Sequence, residues 1–380
     1  MNKKEVLEIK KILKKDDTRI DRIACCYVDG EKKKVTEYEK PFLTLPDEEM
    51  FKYTDIIRKS LSGAIGKNLL NLDFPLEEEA EGGRQKRLLD LLDSELKDQG
   101  KIEDAFDAII ASYLNPENYL ILLAHGMYDV PGKASDNLEM EDASDYVYPF
   151  LICCICPVTL SKPGLIYSAA DQTFVDSVQD HMVQMPEIGF LFPAFNDRNS
   201  DIHSLLYYSK NPDICHPEIT EDVLGCTVPM AASDQKKTFD ELVEDTFQED
   251  CTFDLTKKIH ENMNALLEGK KEDPEPTPLD KNELKKFMEH CGADNDQIQA
   301  FEDKVETNDT NDTAFIASNL ANTRKFEVKT PDIRISVDPT RTDLIESRMI
   351  DGQEYLVIPV SDDILVNGIR IRPKSSKTDR

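Results

Sequence analysis

The stretch Pro149-Phe-Leu-Ile-Cys-Cys-Ile-Cys-Pro-Val-Thr159 decides the fold. It carries no charge and is filled with branched and sulfur-bearing side chains, the composition of a buried strand. Three more apolar runs stand on either side of it: Asn118–Ala124, Gly189-Phe-Leu-Phe-Pro-Ala-Phe195 and His203-Ser-Leu-Leu-Tyr-Tyr208. Turn formers separate the runs at Pro131-Gly132, Lys162-Pro163-Gly164 and Asn196–Ser200. Strands joined by short turns predict a mainly antiparallel sheet packed on the helices around it.

Towards the N-terminus, Val6, Ile9, Ile12 and Leu13 fall on one side of a predicted helix over 3–15. Two β-rich runs around Asp29-Gly30 read as a hairpin. Asp47, Glu48 and Glu49 suit the N-terminus of a helix that begins after Pro46. Leu69–Phe74 reads as a strand stopped by Pro75, and helices follow over 85–97 and 102–113, broken near Gly100. Towards the C-terminus the pattern is helical over 234–247, 255–267, 281–290 and 296–305. In Gly269–Pro278 three prolines at alternate positions forbid helix and hold the chain extended. Hairpins are predicted around Asp351-Gly352 and Asn367-Gly368. The expected fold class is therefore α+β: an antiparallel sheet core flanked by helices, then a smaller part of helices and β-hairpins. The expected main domain is 1–268, with helices and a hairpin in 1–117, a sheet-rich centre in 118–210 and helices in 211–268. A linker over 269–280, a second part over 281–372 and a disordered tail over 373–380 complete the layout.

The chain has 380 residues, enough for two or three cores. No apolar run approaches the roughly 20 residues that span a bilayer. Its 75 acidic and 46 basic residues leave a formal charge of −29. That balance disfavours direct binding to nucleic acid or to an anionic membrane face. Spread along the chain, it favours solubility; an acidic mimic of nucleic acid is the sharper alternative. Nine cysteines, two groups of them adjacent, do not form a secreted disulfide framework and point to a reducing cytoplasm. In that setting Asn308-Asp-Thr and Asn311-Asp-Thr are a polar loop, not glycosylation acceptors.

The densest polar group is Asn196-Asp-Arg-Asn-Ser-Asp-Ile-His203. Asp197, Asp201 and His203 are candidate ligands of a divalent metal, and Arg198 is a candidate phosphate grip. The same residues are ordinary turn formers. His125 and Asp129 follow an apolar run and are candidate catalytic bases; the favoured reading of His125 is a hydrogen-bonded sheet histidine. Gly132-Lys133-Ala-Ser135 lacks the first glycine of a phosphate loop. On a strand, Cys154 and Cys156 share one face and Cys153 takes the other, a packing arrangement and not a zinc knuckle. The segments 280–291 and 294–305 read as a helical hairpin whose second helix is too acidic to read DNA. G-x-S-x-G, H-E-x-x-H, paired C-x-x-C and G-x-G-x-x-G are all missing, as is Trp.

Through Ile152-Cys-Cys-Ile-Cys-Pro-Val158, Met185–Arg198 and Asn322–Pro331 the chain resembles a family of uncharacterised bacterial proteins, domain of unknown function 4317. The resemblance runs over nearly the whole chain, and members occur in anaerobic Gram-positive bacteria. It implies a full-length, cytoplasmic bacterial protein and carries no activity and no catalytic residues. The expectation from the sequence is a non-catalytic protein that binds another macromolecule, a protein first of all, with no cofactor. The alternatives are a metal-dependent phosphoester hydrolase and the acidic mimic. The hydrolase requires His125 and Asp129 to converge with the Asp197–His203 turn. A binding module requires an exposed apolar patch.

Overall fold

The long apolar strands organise the first part of the chain. The computed structural model describes residues 1–15, 18–133, 139–176, 178–270, 275–307, 315–359 and 364–371. These fall into two compact units: 1–234 with 274–276, and 235–273 with 277–380.

In the first unit, α1 (Lys3–Ile12) is followed by β1 (Ile20–Val28), β2 (Lys34–Pro41), α2 (Asp47–Lys59) and β3 (Leu69–Asp73). Helices α3 (Arg84–Asp93) and α4 (Gln99–Ser112) lead into β4 (Tyr119–Lys133) and β5 (Glu139–Leu160). Short strands follow: β6 (Leu165–Ser168), β7 (Thr173–Asp176), β8 (His181–Val183), β9 (Ile188–Phe192), β10 (Ala194–Asn196), β11 (Asn199–Asp201) and β12 (Ser204–Ser209). The one-turn α5 (Pro217–Thr220) closes the series. The main sheet runs β2-β1-β4-β5-β9-β12-β3, with β8 added to the far end of β5, and every pair is antiparallel. The α+β class is as the sequence predicts.

Both faces of this sheet are covered. Leu120, Leu122, Ile152, Cys154 and Cys156 face α1 and α2. Tyr119, Ile121, Leu123, Cys153 and Ile155 face α3 and α4. Burial on both sides explains why Phe150–Cys156 is apolar at every position and does not alternate, a pattern more familiar from parallel sheets. The cysteine alternation is as expected, and the thiols are free. The helix caps are local. Asn2 and Glu5 form a capping box on α1. The Asp98 carboxylate accepts from the amides of Gly100 and Lys101 at 3.0 and 3.3 Å. That cap moves the expected break. Gly100 lies inside the first turn of α4, and the chain turns instead at Glu95 and Leu96, both with positive φ. A Cβ on Gly189 would stand 2.8 Å from the Cys153 carbonyl oxygen, so only glycine lets β9 pass there.

The turn expected at Pro131-Gly132 is also displaced. β4 continues through it to Lys133, and two register shifts against β5 absorb the proline.

The second unit is built on α6 (Ala232–Phe247), α7 (Phe253–Gly269), α8 (Lys281–Cys291) and α9 (Asn295–Thr307). Two-residue strands β13 (Pro278–Leu279) and β14 (Phe315–Ile316) pair beside α10 (Ala317–Leu320). Three hairpins end the chain: β15 (Phe326–Lys329) with β16 (Arg334–Val337), β17 (Glu346–Ile350) with β18 (Gln353–Val357), and β19 (Ile364–Val366) with β20 (Ile369–Ile371). The division by packing falls at Asp234/Gln235, whereas the proline-rich stretch suggested 269–280. The reason is that Phe239 and Leu242 of α6 and Met263 of α7 bury with Met288 of α8 and Phe301 of α9 in one cluster. The centre of the linker, the 308–313 loop, Ser135 and the 373–380 tail lie outside the described residues. Among the described residues no helix is long and apolar enough to cross a membrane.

Candidate functional site

The Asn196–His203 segment folds as a hairpin of its own. β10 and β11 pair Asn196 with Asn199, which leaves Asp197 and Arg198 as a two-residue loop with φ of 51° and 58°. A loop with both central residues left-handed matches strand twist, at a steric cost that Asn-Gly would avoid. Helix α1 holds this loop in place. The Arg198 guanidinium forks onto Glu8, with Nε 3.1 Å and Nη2 2.9 Å from Oε1. The Tyr128 hydroxyl donates to the same carboxylate at 2.9 Å. The Asp197 amide donates to Glu5 Oε1 at 2.8 Å. The hydrogen-bonded Glu8 carboxylate raises the Arg198 pKa, and burial raises that of Tyr128. Arg198, the expected phosphate grip, is thus committed to a carboxylate of its own chain.

Asp201 is equally occupied. It accepts from Asn196 Nδ2 at 2.7 Å, Ser204 Oγ at 2.8 Å and the His203 amide at 3.0 Å. Burial pushes its pKa up, but the hydrogen bonds from Ser204, Asn196 and His203 outweigh it and hold the carboxyl below its ordinary value. His203 points to Glu79, with Nδ1 2.8 Å from Oε1, and that hydrogen bond raises its pKa.

His125 is 1% exposed, and its Nδ1 lies 2.8 and 2.9 Å from the two oxygens of Asp21. By strand alternation His125 and Asp129 share the α3/α4 face of β4 with Leu123, while Tyr128, beside Glu8 and Arg198, packs on the α1/α2 face. The sheet therefore stands between Arg198 and the His125–Asp129 segment, while the other end of the turn reaches α3, where Gln85 Nε2 donates to the Ile202 carbonyl at 3.0 Å. Among the described residues no three His, Cys, Asp or Glu side chains gather as a metal site would need. The β5 thiols are inert packing groups: burial pushes Cys154 to about 12, and Cys153 and Cys156 well up.

Sequence reasoning missed an exposed apolar hairpin in the first unit. β6 and β7 form a hairpin in which Tyr167 faces Phe174 across the strands, ring centroids 5.7 Å apart. Leu165 is 71% and Phe174 66% exposed, and no side chain of this hairpin belongs to a core cluster. β8 pairs with β5 alone among the described strands, so its other edge is open. Beside it lies a groove of about 570 Å³, floored by Tyr27, Leu120 and Val158, with Met182, Val183 and Met185 along one wall. The signal was present in Leu165-Ile-Tyr167 and Thr173-Phe-Val175, two apolar runs flanking a polar turn, but these are too short to register as strands.

No curated protein and no solved structure matches the chain. A match over residues 1–369 shows that the chain belongs to the family described as Domain of unknown function (DUF4317).

Proposed function

We propose that the chain is a non-catalytic binding module whose partner is another protein, received on the β6–β7 hairpin, the open edge of β8 and the groove beside it. The observation that carries this reading is the hairpin itself. A two-stranded hairpin is marginal in water, and this one exposes Leu165, Ile166, Tyr167 and Phe174 to solvent. Met182 and Val183 of β8, which follows the hairpin in the chain, are also exposed and line the groove, and flexible methionines suit a surface that must adapt to a partner. Asp171, Asp176 and Asp180 interrupt the apolar residues, so the fitting partner offers an extended apolar segment with basic flanks. The nine free thiols support a reducing, cytoplasmic setting.

The test is site-specific photo-crosslinking in the cells that make the protein, with benzoylphenylalanine placed at Tyr167, Phe174 or Met182, and at exposed Lys97 as control. The expected result is one adduct of defined mass from the first three positions and none from Lys97. The adduct should disappear when Leu165 is changed to Ser. Equal adducts from every position, or none from any, would overturn the proposal.

A further inference from the structure

The second cavity of the first unit lies on the opposite face of the sheet and has a different chemical character. It is a slot of about 560 Å³ between α3 and α4, within the usual range for small-molecule sites. Leu123 of β4 and Phe190 of β9 form its floor. Leu88 and Leu91 of α3 form one wall. The opposite wall is Ala105 and Ala108 of α4, whose small side chains leave the space between the helices unfilled.

The mouth is charged. Arg84 is spent on Glu78, Asp90 on Lys86 at 3.0 Å and Asp107 on Lys34 at 2.7 Å. Arg87 and Lys101 donate only to backbone, to the carbonyls of Gly82 at 3.1 Å and Asp90 at 3.0 Å, and pair with no carboxylate among the described residues. Asp104 is the one rim acid without an ion pair, so the uncompensated charge at the rim is 2 − 1 = +1. Two unpaired cations over an apolar slot stand out in a chain whose acids outnumber its bases by 75 to 46.

We infer that the slot between α3 and α4 binds a small amphipathic monocarboxylate, its apolar body against Leu123 and Phe190 and its carboxylate at Arg87 and Lys101. An apolar body gains its own transfer free energy on leaving water for the slot, and the guanidinium offers the fork geometry that a carboxylate takes. This site does not depend on the protein-docking surface, because the sheet stands between them.

The probes are octanoate and its neutral counterpart 1-octanol, titrated calorimetrically into the full chain. Octanoate should bind saturably at one site. Arg87→Gln/Lys101→Gln should weaken octanoate at least about tenfold and leave 1-octanol unchanged. Ala108→Phe fills the slot and should abolish both; Ala105→Leu replaces it if that variant fails to reach wild-type ellipticity. Met182→Ser, in the other groove, should change neither. No saturable octanoate binding below about 1 mM, or affinity unaltered in the charge and filling variants, or a loss caused by Met182→Ser instead, would overturn the inference.

Discussion

Replacing Glu8 with Ala tests whether the Asp197-Arg198 loop is held for structure. The Glu8 carboxylate takes the Arg198 fork and the Tyr128 hydroxyl, and all three side chains are mostly buried. Hydrogen bonds to a charged group contribute about 1.5–3 kcal/mol, discounted here because Glu8 retains 20% of its exposure and Arg198 17%. Glu8→Ala should therefore cost about 2–3 kcal/mol and lower the unfolding midpoint of the first unit by about 5–10 °C. The sharper test uses Arg198→Gly. Glycine relieves a left-handed non-glycine residue by about 1 kcal/mol but forfeits the fork. In the wild-type background it should destabilise by about 1 kcal/mol; in the Glu8→Ala background, where no fork remains, it should stabilise by about 1 kcal/mol. Urea unfolding followed by far-UV ellipticity measures all four corners of the cycle. A sign that does not invert, or a Glu8→Ala cost below about 0.5 kcal/mol, would refute the clamp.

Two further outcomes follow from the buried groups. Native chain treated with a thiol reagent at pH 8 should leave Cys25, Cys26, Cys153, Cys154 and Cys156 unmodified, because burial raises Cys25 to about 11 and Cys26 to about 12 and seals the rest inside the sheet. Mass mapping that finds any of the five labelled before unfolding would contradict that packing. Asp201 has its folded pKa held below the ordinary 3.8, so its contribution to stability is present above 3.8 and is lost as pH falls through the lowered value. Wild type should exceed Asp201→Asn in stability at pH 7, and the difference should vanish in acid below 3.8. A difference that persists there would mean that the carboxylate charge is not its source.

Much of the secondary structure was legible because its signals are local. The apolar stripe over 3–15 and the helical pattern over 281–290 fold as α1 and α8, and Asp351-Gly352 and Asn367-Gly368 sit in the hairpin turns where they were expected. The failures lie where a long-range partner overrides a local preference. Pro131 is carried inside a strand because β5 pairs on both sides of a bulge. Helices α6 and α7 precede the proline-rich stretch yet bury their apolar stripes with α8 and α9. The candidate site was half legible. The residue types in Asp197–His203 were identified correctly, but which of them were already occupied was not, since Glu5, Glu8 and Glu79 stand more than a hundred residues away.

By itself, the sequence determined an acidic chain with an antiparallel, cysteine-lined sheet, its helices and its terminal hairpins, because periodicity, caps and turn residues act within a few positions of one another. Only the tertiary structure decided which polar clusters were left free. It turned the metal-like hairpin into a clamp on α1, put His125 and Arg198 on opposite faces of the sheet, and exposed an apolar hairpin and a cation-rimmed slot. Whether a side chain is free depends on what the rest of the chain brings to it, and that is a property of packing, not of spacing along the chain.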